Sequence, residues 1–93
     1  MIVGVMEVDF KIDNSFSLKD KRRVVRSLIE KTKNSFNVSV AEVDNNDVLN
    51  MATIGIAVVS NSSKFVDVVL NKILDFWEHN FECEIIDVRR DVL

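Results

Sequence analysis

From Met6 to Ile12 the chain changes polarity at every step. Ile2, Met6, Val8, Phe10 and Ile12 are apolar, with Glu7, Asp9 and Lys11 standing between them. A period of two places successive side chains on opposite faces, so this stretch reads as a strand with one face buried. Val3 and Val5 make the start of that strand apolar on both faces. The 93 residues contain no proline and only two glycines, Gly4 and Gly55, so the remaining elements must also be read from periodicity.

Asp13-Asn14-Ser15 interrupts the alternation. Ser17 then offers a helix cap, and Asp20, three residues on, forms an approximate capping box. Leu18, Val25, Leu28, Ile29, Thr32 and Phe36 fall on one helical arc, which predicts a helix ending near Asn34 or Phe36. Asn37 to Val43 reads as a second strand. Asp44-Asn45-Asn46-Asp47 is turn chemistry, because Asn and Asp tolerate left-handed backbone and bond their own chain. Ala52 to Val59 is the strongest strand. Asn61-Ser62-Ser63 supplies caps for a second helix through about Asn80, with Phe65, Val66, Val69, Leu70, Ile73, Phe76 and Trp77 as its apolar residues. Cys83 to Val92 reads as a last strand, in which the Ile85-Ile86 pair predicts a bulge.

The order β-α-β-β-α-β predicts an α+β, ferredoxin-like fold over residues 1–93 as a single domain. Both crossovers are right-handed by rule, so both helices cover one face of a four-stranded antiparallel sheet. The other face then carries Val3, Val5, Ala41, Val43, Ala57 and Val59 beside Glu7 and Asp9. That surface is apolar enough to predict a two-fold homodimer that buries part of it or a strand edge.

Composition narrows the setting. Apolar residues make up 47% of the chain, enough for a core without disulfide staples. The single cysteine, Cys83, has no internal partner and fits a reducing compartment. Met1 runs directly into the first strand without the basic region or apolar core of a signal peptide. No apolar run is long enough to span a bilayer. The expectation is a cytoplasmic protein with no membrane partner.

Charge is distributed unevenly. From Ser17 to Phe36 seven cations face only Asp20 and Glu30, so that segment carries +5 in a chain whose net charge is −3. Lys19, Arg22, Arg23, Arg26 and Lys33 occupy one solvent-facing arc of the first helix. Lys19–Arg23 and Arg22–Arg26 are like-charge pairs four residues apart, each unfavourable by roughly 0.2–0.5 kcal/mol. Cations in the first turn also oppose the positive end of the helix dipole. An arc that breaks local rules in this way points either to phosphate, RNA first among its sources, or to acids of this chain or a partner subunit. No exposed aromatic is interleaved in it, so serial base stacking is not indicated.

Other candidates read as structural. His79 lies near the end of the second helix, where a cation is favourable. With Cys83 four residues on, it supplies only two ligands, too few for a zinc site. Cys83 itself reads as a small buried hydrophobe on a strand. Glu82, Glu84, Asp87 and Asp91 cluster on the last strand, and Asp44 and Asp47 flank the turn; these read as solvated charge and edge protection. Trp77, Phe76 and Phe81 read as core or core rim. Both glycines lie inside strands, so no phosphate-cradling loop is present. No catalytic residue, metal site or cofactor is expected.

Three segments carry a resemblance. Ser17-Leu18-Lys19-Asp20-Lys21-Arg22-Arg23-Val24-Val25-Arg26-Ser27-Leu28, Phe36-Asn37-Val38-Ser39-Val40-Ala41-Glu42-Val43, and Leu49 to Asn61 are similar, in this order, to the YlxP-like family of uncharacterised bacterial proteins. The similarity runs from Met1-Ile2-Val3-Gly4 to Asp87-Val88-Arg89-Arg90-Asp91. It implies a ferredoxin-like fold. The family's genes often lie beside those for translation factors and a ribosome-binding factor, which implies an accessory role in ribosome assembly or translation and supplies no catalytic residues. The expected function is therefore a non-enzymatic RNA- or ribosome-associated module, the alternative being an interaction or structural module that self-associates through its sheet.

Overall fold

The computed structural model describes residues 1–13 and 17–93. Asn14 and Ser15, expected to break the first strand, lie outside the described residues. The elements run β1 (Ile2–Lys11), α1 (Leu18–Ser35), β2 (Ser39–Asp44), β3 (Met51–Ser60), α2 (Ser63–Asn80) and β4 (Glu84–Val92). The strands pair antiparallel in the order β2-β3-β1-β4. This is the expected ferredoxin-like arrangement.

The two-residue period decides which face is buried. Met6, Val8 and Phe10 of β1 are buried with Ala52, Ile54, Ile56 and Val58 of β3, which are their register partners or neighbours. Both helices lie against this face. α1 contributes Val25 and Leu28, and α2 contributes Val66, Leu70, Ile73 and Trp77. Gly4 lets α2 approach β1 closely, since a Cβ there would collide with Val66 Cγ1.

At the centre, the Phe10 and Trp77 rings meet edge to face at 5.3 Å, a geometry that adds about 0.5–1.5 kcal/mol to their burial. Burying Trp77 requires a partner for its indole N–H. Thr32 of α1 supplies it: Trp77 Nε1 donates to Thr32 Oγ1 at 2.9 Å, and that hydroxyl donates to the Leu28 carbonyl at 2.6 Å. The contact joins the two helices 45 residues apart in sequence.

The caps follow the sequence. Ser17 Oγ accepts from Asp20 N at 3.1 Å, and Ser62 Oγ accepts from Phe65 N at 3.2 Å. The β1–β4 register skips Ile86, which is the bulge expected at the Ile85-Ile86 pair. Asn45 takes φ 59°, the left-handed turn backbone that asparagine tolerates. Phe65 departs from expectation. It sits about 100° around α2 from the buried row headed by Val66, and is 54% exposed.

Candidate functional site

The buried row of α1 is Lys21, Val25, Leu28 and Thr32. The opposite side of the helix presents the basic arc. Lys19, Arg22, Arg23 and Arg26 are all exposed and together bound a shallow concavity. Lys33 is exposed on the same arc but does not line that concavity, because it lies two turns, about 10 Å, beyond Arg26. Among the described residues, none of these five cations forms an ion pair with an acid. The other two cations of the segment are spent internally. Lys31 Nζ lies 5.6 Å from the centroid of the Phe81 ring. Lys21 is fully buried, with its ammonium 3.0 Å from Glu42 Oε2 and donating to the carbonyls of Asn45 and, at 3.4 Å, Asn46.

Arg23 also lines a groove of about 350 Å³ where α1 meets the segment from α2 to β4. Ile12, Val24 and Phe81 form its apolar part, with Ser27, Asn80 and Glu82 beside them. Cys83 lines the same groove and is half-buried rather than fully enclosed. It precedes β4, which begins at Glu84. Burial pushes its thiol pKa up, and the charges of Asp13 and Glu82 add to the effect. Sequence periodicity could not place Phe81 and Arg23 in one groove, because the fold brings α1 beside the end of α2 to form it.

The open sheet face holds a second polar arrangement. Arg89 grips Asp9 in a fork, Nη1 to Oδ2 at 2.9 Å and Nη2 to Oδ1 at 3.1 Å, and Nη1 also reaches Asp87 Oδ2 at 2.8 Å. Thr53 Oγ1 donates to Asp9 Oδ1 at 2.7 Å, and Asn45 Nδ2 donates to Thr53 Oγ1 at 2.8 Å. The chain of contacts runs from β4 across β1 and β3 to the turn after β2. The hydrogen bonds from Arg89 and then Thr53 hold the Asp9 carboxyl below its usual range, against a smaller opposing effect of burial. Glu7 adds a longer ion pair to Arg89 at 3.7 Å. Asp87, one of the clustered acids, is thus a structural partner. Asp44 Oδ1 accepts from Asn45 N at 2.7 Å and Asp91 Oδ1 from Val92 N at 2.8 Å.

His79 is exposed at the end of α2, where Nδ1 lies 2.7 Å from the Asp75 carbonyl oxygen. That contact, and then the Asp75 charge, raise its pKa. Among the described residues, no three His, Cys, Asp or Glu side chains gather in a way that could hold a metal ion. Among the described residues, no helix is long and apolar enough to cross a membrane.

A protein from Bacillus subtilis (strain 168), "Uncharacterized protein YlxP", is 33% identical over 75 residues, spanning 81% of this chain and 82% of that protein. Among solved structures, the de novo designed protein Ferredog-Diesel is similar at 8% identity with a TM-score of 0.49, over 96% of this chain and 83% of that one. The family described as "Protein of unknown function (DUF503)" matches residues 3–90, and with the relative from Bacillus subtilis this shows that the chain belongs to that YlxP-like family.

Proposed function

We propose that the protein is a cytoplasmic, non-enzymatic accessory module that associates with RNA or the ribosome through α1. The observation that carries this reading is the unbalanced arc. Lys19, Arg22, Arg23 and Arg26 share one exposed surface, and among the described residues no acid pairs with any of them. The sequence left open whether acids of this chain balance them; the described acids in ion pairs serve Lys11, Lys21, His79, Arg89 and Arg90 instead. In a chain of net charge −3, four adjacent unpaired cations make a local positive field that steers phosphate to one helix.

Filter binding to ribosomal RNA tests the proposal. Reversing Arg22 and Arg26 together to Glu removes most of the affinity. The thermal melt stays close to wild type, because both positions lie outside the buried row of α1. Equal RNA retention by the two proteins overturns the proposal.

One observation favours a second reading, a homodimer through the open sheet face. Gly55, Ala41 and Ala57 form a shallow trough there, and beside it Val43 and Val59 are 49% and 59% exposed. A Val59→Glu variant that lowers the mass measured by light scattering supports that reading; a wild-type monomer at high micromolar concentration removes it.

A further inference from the structure

Arg23 belongs to two surfaces at once: the basic concavity on α1 and the groove between α1 and the α2–β4 segment. We propose that this groove receives one unpaired nucleotide of an RNA whose neighbouring phosphates lie on Arg22, Arg23 and Arg26. The inference rests on the RNA reading of α1 and adds to it a base-binding site.

The chemistry of the groove matches a nucleobase. A base extruded from a helix needs a flat apolar contact for its ring and polar groups for its edge. Val24 and Phe81 supply the first; Ser27, Asn80 and Glu82 supply the second. The Phe81 ring is fixed in place, meeting Phe76 edge to face at 5.9 Å and lying 5.6 Å from Lys31 Nζ. A volume of about 350 Å³ falls within the range of small-ligand sites. With one aromatic beside the arc, the arrangement suits one base rather than a stacked strand.

Charge sets the direction of binding. Arg23 makes one part of the groove positive, while Glu82 contributes a carboxylate. Phosphate is drawn to Arg23 and repelled by Glu82, so the base lies toward Glu82. A carboxylate only accepts hydrogen bonds, and guanine offers it the N1–H and the amino group side by side. Uracil turns carbonyl oxygens to the same position on either side of its one N–H. The favoured occupant is therefore an unpaired guanosine.

Two RNAs separate this proposal from the reading on which it rests. One is a fully paired stem of roughly 16 base pairs. The other is the same stem with one bulged guanosine. Fluorescence anisotropy is expected to show wild-type protein binding the bulged stem roughly tenfold tighter, within the range of one stacked base. Ser27→Trp, which fills the groove, removes that advantage and leaves affinity for the paired stem unchanged. A 6-thioguanosine at the bulge, photocrosslinked to wild-type protein, is expected to attach between Asn80 and Cys83, and this measurement needs no variant to fold. Equal wild-type affinity for the two stems, or crosslinks confined to other segments, overturns the groove proposal while the phosphate contact of α1 stands. Failure to bind either RNA overturns both.

Discussion

The ammonium of Lys21 lies 3.0 Å from the Glu42 carboxylate, and none of the lysine side chain reaches water. The pair ties the first turns of α1 to the helix-covered face of β2. The same ammonium donates to the carbonyl of Asn45, the residue held in left-handed backbone. One buried cation therefore joins α1, β2 and the turn that leads into β3. Removing it leaves a mostly buried carboxylate without its counter-charge and a turn carbonyl without its donor. Lys21→Met is expected to destabilise the fold by about 3 kcal/mol in urea denaturation, the scale of a broken buried pair. Adding Glu42→Leu is expected to restore much of the loss, because the uncompensated charge is then gone. An unchanged midpoint for Lys21→Met contradicts this account.

Asp9 predicts the acid limb of stability. Its folded carboxyl titrates below the ordinary value of 3.8, chiefly because Arg89 and Thr53 hydrogen-bond the charged form. The unfolded chain thus binds the proton more readily. The contribution of Asp9 is complete above the ordinary carboxylate range and is lost as pH falls through the lower folded value. Asp9→Asn is expected to melt at a temperature less sensitive to pH below about 4 than wild type does. Identical acid limbs for the two proteins contradict the Arg89–Asp9–Thr53 linkage.

Cys83 is expected to react slowly. Burial and the charges of Asp13 and Glu82 raise its pKa, which keeps the thiolate scarce at neutral pH. Iodoacetamide labelling of native protein at pH 7.5 is expected to run well below the rate for the urea-unfolded chain, and to accelerate as pH rises past the ordinary thiol range. Native and unfolded rates that match indicate an open thiol.

The alternation of Met6 to Ile12 made the buried face of β1 legible, and the arcs of Val25–Leu28 and Val66–Trp77 placed both helices on it. Asn45 was legible because few residues accept its backbone. Lys21 was not, since its charge grouped it with the basic run. Its position offered the missing signal: on a helical wheel it falls within about 40° of Val25, Leu28 and Thr32. Phe65 misled for the opposite reason, its apolar side chain outweighing its place off the buried row. The basic arc itself was legible from spacing, but its lack of acidic partners depends on where acids distant in sequence are placed by the fold. The groove shared by Phe81 and Arg23 and the Trp77–Thr32 hydrogen bond likewise arise from tertiary packing, which no local pattern encodes.

The salt dependence of RNA binding tests the role of α1 most directly. Each phosphate neutralised by Lys or Arg releases condensed counterions, so the logarithm of affinity falls linearly with the logarithm of salt concentration. Four contacts from Lys19, Arg22, Arg23 and Arg26 predict a slope of about −3 to −4 on paired RNA, and Arg26→Ala is expected to reduce its magnitude by roughly one. A slope near zero, or one that Arg26→Ala leaves unchanged, contradicts a phosphate-binding role for this helix.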